Sequence, residues 1–132
     1  FVTRFVGVLD LRKGRLHYCN AGHNAPYFQG VLLPCDPNIP VGVMSDWTFT
    51  EQEMEMTSGS ILFLYTDGLT EAENARQEQF GEERLKDIVT TFKGAPRELI
   101  ETMTGAVHQF VGDTEQSDDL TMLSIKYTSQ QS

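Results

Sequence analysis

The first part of the chain is patterned as short strands that are separated by turns. Residues 3–10 and 15–19 are apolar or alternating runs on either side of a polar loop that contains Gly14. Two such runs around a short loop with glycine predict a β-hairpin. The same pattern predicts a second, tighter hairpin over 26–33, with Gln29-Gly30 at its turn.

Further strands are predicted in the middle and at the end of the chain. Residues 47–56 alternate loosely and predict an exposed strand, whose acidic outer face carries Glu51, Glu53 and Glu55. Residues 61–66 are almost uniformly apolar, which is typical of a fully buried strand. Residues 120–127 alternate again and predict a closing strand.

Helical periodicity appears between the buried strand and the closing strand. Residues 69–81 are polar and predict a short helical turn followed by a loop. Apolar positions in 82–93 recur at helical spacing, and Gly94 is expected to end that helix. Pro96 suits the first position of another helix, and Gly112 is expected to end it. The two apolar stripes predict antiparallel packing; they comprise Leu85, Ile88, Val89 and Phe92, then Leu99, Ile100, Met103, Val107, Phe110 and Val111.

The order of these elements predicts one α+β domain with a mostly antiparallel sheet. The strands come first, the two helices follow, and one strand closes the chain, which is the arrangement expected of α+β folds. A length of 132 residues suits a single domain with a real core. We expect that domain to span 1–127 and a polar tail to span 128–132.

Charge and composition exclude some classes of function. The formal net charge is −9, and lysine and arginine form no basic run beyond the pair Arg12-Lys13. Nucleic-acid binding needs a basic stripe, so it is not expected, and neither is docking on anionic lipid. No apolar run has transmembrane length and no signal-peptide pattern is present, so a cytoplasmic protein without membrane contact is predicted.

The cysteines favour a structural role over a catalytic one. Cys19 and Cys35 are not in a CxxC or zinc spacing, and neither has a His–Asn partner pattern around it. Two reduced thiols are the preferred interpretation for a cytosolic protein. A Cys19–Cys35 disulfide is the alternative.

Two acidic positions at strand ends are candidates for chemistry. Asp67 follows the predicted buried strand, and Asp118-Asp119 precedes the closing strand. If those strands are neighbours, the carboxylates can converge, and converging carboxylates repel and raise each other's pKa unless a cation lies among them. Oxygen-only ligation selects hard ions such as Mg²⁺ or Mn²⁺. The alternative is that Asp118 caps a turn and Asp67 begins one.

A loop with one imidazole is the other candidate. Residues 20–26 read Asn-Ala-Gly-His-Asn-Ala-Pro, which is typical of a loop. Histidine titrates near neutral pH, so His23 could act as a general acid or as a donor to phosphate. The alternative is a structural or solvated turn residue.

These segments together resemble one family. They are similar to the middle and end of the bacterial stage-II-sporulation-E-like (SpoIIE/RsbU-like) serine phosphatases, within the metal-dependent, phosphatase-2C-like superfamily. The matching segments follow one another in the expected order over almost the whole chain. They are Phe1-Val2-Thr3, Gly7-Val8-Leu9-Asp10, Asn20 to Pro26, Pro40 to Val43, Tyr65 to Ala72, Phe80 to Leu85 and Asp118 to Thr121.

The resemblance implies a fold, a cofactor and a reaction. The fold is an antiparallel β-sandwich flanked by helices in four αββα layers, here lacking its N-terminal part. The cofactor is a pair of Mg²⁺ or Mn²⁺ ions. A water between two ions about 3.5–4 Å apart would attack the phosphorus in line. The implied activity is protein serine/threonine phosphatase.

The resemblance also implies roles for individual residues. Asp67 and Asp118 match metal ligands with a catalytic role, and Gly68 and Asp119 join them as candidate metal-site positions. The loop with His23 borders the cleft in the family. His23 is therefore a candidate catalytic residue, and the candidate substrate-binding residues around it are Asn20, Gly22 and Asn24.

One family motif has no counterpart in this sequence. The family's glycine-rich Gly-Asp motif supplies an aspartate that bridges both ions, and neither Asp10 nor Asp36 has that context. We therefore expect the C-terminal part of a phosphatase domain, with an N-terminal sensor or regulatory domain in the full-length chain. The expected substrate is a phosphorylated regulatory protein in bacterial signalling, such as an anti-sigma-factor antagonist. A homodimer is a further possible partner state. The alternative function is an inactive phosphatase-like module that binds proteins.

Overall fold

A computed structural model describes residues 3–35, 38, 41–42, 45–46, 48–114 and 120–128. The predicted tail at 128–132 lies largely outside the described residues, as do Trp47 of the predicted exposed strand and the ends of the segment Pro40 to Val43. The strands are β1 Arg4–Asp10, β2 Arg15–Ala21, β3 Tyr27–Phe28, β4 Val31–Leu32, β5 Gln52–Glu55, β6 Ile61–Tyr65 and β7 Met122–Lys126. The helices are α1 Asp67–Thr70, α2 Gly81–Thr91 and α3 Pro96–Val111. In the described part of the chain, no helix has both the length and the apolar character that crossing a membrane requires.

The chain divides into two compact units. The first unit takes its residues from 1–25, 33–60 and 127–132, and the second from 26–32 and 61–126. Each unit has its own antiparallel sheet, with strand order β1-β2-β5 in the first and β4-β3-β6-β7 in the second. The predicted α+β class with mostly antiparallel pairing is therefore confirmed.

The sheet of the first unit confirms the first hairpin and the acidic edge strand. β1 and β2 pair along their whole length. In the turn between them, the N–H groups of Arg12 and Lys13 donate hydrogen bonds to the carboxylate of Asp10, at 3.0 and 3.1 Å. β5 lies at one edge, with Glu53 and Glu55 exposed. It is shorter than the predicted strand over 47–56.

β2 is longer than its sequence pattern indicated. It continues to Ala21, because Asn20 and Ala21 still pair with Phe5 and Arg4 of β1. The prediction that the loop begins at Asn20 was therefore wrong by two residues. The buried face of this strand, which includes Leu16, ends with the buried side chain of Asn20.

The second unit packs its helices on its sheet. β3 and β4 form the predicted tight hairpin, and β6 pairs with both β3 and β7. α1 contacts α2, α2 contacts α3, and α3 contacts β7. The buried core comprises Tyr27, Phe63, Tyr65, Leu69, Ala72, Phe80, Leu85, Val89, Leu99, Met103, Val107 and Val111.

The helix predictions are confirmed in kind, with small shifts at the ends. α1 begins at Asp67, two residues before the predicted helical turn. α2 ends at Thr91, because Phe92 is already extended, so the helix stops before Gly94. α3 begins at Pro96, as predicted.

Candidate functional site

A buried strand delivers Asp67 to the rim of the second unit's core. Phe63 and Tyr65 of β6 are 1% and 3% exposed, whereas Asp67 is exposed. Asp67 is the first residue of α1, and its main-chain carbonyl accepts a hydrogen bond from the Glu71 N–H at 2.8 Å. Leu69, two residues further along α1, is fully buried. The carboxylate is thus presented to solvent from a chain segment whose neighbours are packed.

The segment that precedes β7 runs beside the segment that follows β6. Tyr65 pairs with Met122, and the N–H of Thr66 donates to the carbonyl of Thr121 at 3.2 Å. The buried strand and the closing strand are therefore neighbours, which is the condition that the convergence of the carboxylates requires. Asp118 and Asp119 themselves lie outside the described residues, so their convergence with Asp67 stays a prediction.

The loop around His23 belongs to the first unit and is closed by the Asn20 side chain. The Asn20 amide donates to the His23 carbonyl and accepts from the His23 N–H, both at 2.8 Å. Asn20 is 6% exposed, so these bonds satisfy its amide in the interior. Gly22 takes φ 72 within this loop.

The same loop sets the tautomer of the His23 ring. Nδ1 lies 2.9 Å from the carbonyl oxygen of Asn24. A carbonyl only accepts, so Nδ1 is the donor and the neutral ring carries its lone pair on Nε2. His23 and Asn24 are half-buried. The ring is therefore oriented by its own loop, which fits either a chemical or a structural role.

Asp67 has the donor chemistry of a hard-cation ligand. An exposed carboxylate suits Mg²⁺ or Mn²⁺, which take oxygen ligands. Within the described ranges, no group of three or more histidine, cysteine, aspartate or glutamate side chains could hold a metal ion. Of the three predicted metal-binding aspartates, only Asp67 lies among the described residues. The assignment of Asp67, Gly68, Asp118 and Asp119 to a metal site stays a prediction.

Glu82 makes a set of contacts that the sequence pattern did not indicate. This residue lies in the first turn of α2, and its carboxylate accepts hydrogen bonds from the hydroxyls of Tyr27 and Tyr65. Burial raises the pKa of the Tyr27 phenol above its ordinary value, and the negative charge of Glu82 and the hydrogen bond to it raise that pKa further. Tyr27 therefore stays protonated and able to donate at neutral pH.

Comparison with known proteins gives the chain a family. The model of the stage II sporulation protein E (SpoIIE) family matches residues 1–128. Protein IcfG of Synechocystis is 33% identical over 129 residues, which are 95% of this chain and 20% of that protein.

Solved structures with the same fold include two phosphatase domains. The SiaA-PP2C domain of Pseudomonas aeruginosa superposes with a TM-score of 0.76 and 23% identity, covering 95% of this chain and 51% of that one. The Mn-presoaked phosphatase domain of the cell fate determinant SpoIIE from Bacillus subtilis gives a TM-score of 0.71 and 13% identity, covering 98% and 58%. The chain thus spans one fifth of the curated relative and between half and three fifths of these two structures. The match over residues 1–128 shows that the chain belongs to the SpoIIE family, and the superpositions show that it has the fold of part of these domains.

Proposed function

We propose that the protein containing this chain is a metal-dependent protein serine/threonine phosphatase. The observation that carries the proposal is Asp67, an exposed carboxylate that follows a buried strand in a chain of the SpoIIE family. Such a carboxylate is suited to hold a divalent cation. In this proposal 1–127 is the C-terminal part of the catalytic domain.

The proposed metal ligands are Asp67 and Asp118, with Gly68 and Asp119 beside them. A bound pair of Mg²⁺ or Mn²⁺ ions supplies an activated water and neutralises charge on the phosphoryl oxygens. The Mn presoak of the Bacillus subtilis SpoIIE phosphatase domain supports this choice of ion. The carboxylate of Asp67 would contribute negative charge from a fixed main-chain position, because the buried residues Tyr65 and Leu69 hold the segment.

His23 is proposed to act on the substrate. Its Nδ1 is engaged with the Asn24 carbonyl, which leaves Nε2 to accept a proton or, when protonated, to donate to a phosphoryl oxygen. Gly22 and Asn24 belong to the same loop and are proposed to bind the substrate. Asn20 supports the loop through its two bonds to His23, so we propose that it acts on substrate indirectly.

The proposed substrate is a phosphorylated regulatory protein, such as an anti-sigma-factor antagonist. Family membership supports a place in bacterial signalling, and the coverage of 20% of IcfG supports a larger protein with a sensor or regulatory domain. The net charge of −9 fits a protein substrate and not a nucleic acid.

Substitution of Asp67 tests the proposal. In the full-length protein, Asp67→Asn is expected to lower Mn²⁺-dependent phosphate release from a phosphoserine protein by about 100-fold or more, because a ligand that stabilises transition-state charge is worth several kcal/mol. Asp87→Asn, at an exposed position of α2, is the matched control and should leave the rate unchanged. Wild-type activity in Asp67→Asn would contradict the two-metal assignment. A full-length wild-type protein that neither binds Mn²⁺ nor releases phosphate would favour the inactive binding module.

A further inference from the structure

Three elements of the second unit meet at one carboxylate. Glu82 of α2 accepts a hydrogen bond from the Tyr65 hydroxyl, which lies 3.1 Å from each carboxylate oxygen. The Tyr27 hydroxyl of β3 donates to the same carboxylate at 3.3 Å. The two rings lie side by side, with centroids 6.1 Å apart. We call these three residues the tyrosine–carboxylate cluster.

The cluster provides a hydrogen-bond acceptor for the hydroxyls of two buried tyrosines. Tyr27 and Tyr65 are 4% and 3% exposed, and their hydroxyls meet the carboxylate of Glu82, an exposed residue, in part-buried hydrogen bonds. A buried hydroxyl without a partner is costly, and a hydrogen bond to a charged acceptor is stronger than one to a neutral group. Glu82 supplies that acceptor for both phenols at once. Its position in the first turn of α2 also suits a negative charge.

The cluster lies directly upstream of Asp67. Tyr65 is the last residue of β6, and only Thr66 separates it from Asp67. A hydrogen bond at the Tyr65 hydroxyl fixes the end of the strand against α2, and so it sets where the chain enters α1. Leu69, which is fully buried, fixes the other side of the Asp67 main chain.

We propose that Glu82 is a positioning residue that sets the location of the Asp67 carboxylate by anchoring Tyr65, and Tyr27 beside it, at the end of β6. This inference rests on the proposed function, because it assigns Glu82 an effect on metal affinity. Glu82 does not touch the substrate or the ions. Replacing a group that orients a metal ligand typically costs 10–100-fold in metal affinity or activity.

The first test needs no metal. Amide hydrogen exchange of the full-length protein, without Mg²⁺ or Mn²⁺, is compared between Glu82→Ala and Glu83→Ala. Glu83 is an exposed glutamate in the same turn of α2, which makes it the matched control. Glu82→Ala should speed exchange in peptides that span 66–71, and Glu83→Ala should not. Equal exchange in the two variants would overturn the inference.

The second test measures metal dependence. Glu82→Ala should raise the Mn²⁺ concentration for half-maximal phosphatase activity about tenfold, and saturating Mn²⁺ should restore most of kcat. Glu82→Gln keeps one acceptor oxygen and should show a smaller shift. A purely structural role would lower thermal stability and leave the Mn²⁺ dependence unchanged, and that result would overturn the inference.

Two further comparisons distinguish a failure of the positioning role of Glu82 from a failure of the proposed function. If Glu82→Ala does not fold, Tyr65→Phe removes one hydroxyl only and should shift the Mn²⁺ dependence in the same direction by a few fold. Tyr127→Phe is its control, because it removes a buried, hydrogen-bonded hydroxyl in the first unit. A wild-type protein without any Mn²⁺-dependent activity would refute the proposed function, whereas an active wild type with unchanged Glu82 and Tyr65 variants would refute the positioning role alone.

Discussion

Alanine at Gly30 is expected to separate the β3–β4 hairpin from helix α2. Gly30 has φ +76, and a Cβ atom there would lie 2.9 Å from the Cα of Thr90 and 3.2 Å from the carbonyl oxygen of Val89. Both are main-chain atoms of a helix, so neither can rotate away as a flexible side chain would. The clash must be relieved by moving the hairpin or α2.

The magnitude follows from two contributions. A left-handed conformation costs an alanine about 1–2 kcal/mol. Overpacking against rigid neighbours adds about 1–3 kcal/mol. The hydrogen bond from the Thr90 hydroxyl to the Gly30 carbonyl, now 3.2 Å, would weaken as the two elements part. Gly59→Ala isolates the first contribution, because Gly59 has φ +88 and a Cβ atom there would have no described atom beyond its chain neighbours within 4 Å.

Native-state hydrogen exchange of the intact protein can measure the difference. Gly30→Ala should lower the opening free energy of α2 peptides by about 2–5 kcal/mol, the sum of strain and overpacking. Gly59→Ala should cost about 1–2 kcal/mol and act in the first unit, where it lies. If both variants leave α2 protected to the same degree, the close contact between Gly30 and Thr90 is not a feature of the protein in solution.

Two other predictions concern packing and thiol chemistry. Leu85→Ala should destabilise the protein by about 2–5 kcal/mol in chemical denaturation, because Leu85 is fully buried, whereas Lys86→Ala at the exposed neighbour should stay within about 0.5 kcal/mol. Cys19 should be alkylated more slowly than an ordinary thiol, because burial first, then Glu51 and Cys35, raise its pKa. The pH midpoint of alkylation should fall in Glu51→Gln, since a nearby negative charge disfavours the thiolate; an unchanged midpoint would remove Glu51 as a cause.

Local patterns predicted the elements better than their ends. The apolar stripes of α2 and α3 and the hairpin at Gln29-Gly30 were readable, because each depends on neighbours in sequence. The end of β2 was not, since Ala21 remains in the strand through its pairing with Arg4 of β1. The conformation of Gln29 could not be predicted from its neighbours in sequence either. Gln29 takes φ 52, and its side-chain oxygen accepts a hydrogen bond from the distant Ile61 N–H at 3.1 Å.

Only part of the candidate site could be predicted from the sequence. Asp67 could be predicted because it directly follows the apolar run of β6 and carries a family motif. Glu82 could not, because its partners Tyr27 and Tyr65 come from strands 55 and 17 residues away along the chain. Nothing in the spacing of these residues indicates that two phenols share one carboxylate. Such contacts exist only once the sheet and α2 have packed.

The geometry at Asp67 therefore cannot come from its motif alone. α1 has four residues, far fewer than a helix needs to be stable by itself in water. Its direction must be imposed by packing, and two contacts do so: Leu69 is buried in the core, and Tyr65 is bonded to Glu82. A relative with the same Asp-Gly motif but without an acceptor for Tyr65 should hold its carboxylate less firmly, even though its local sequence is unchanged.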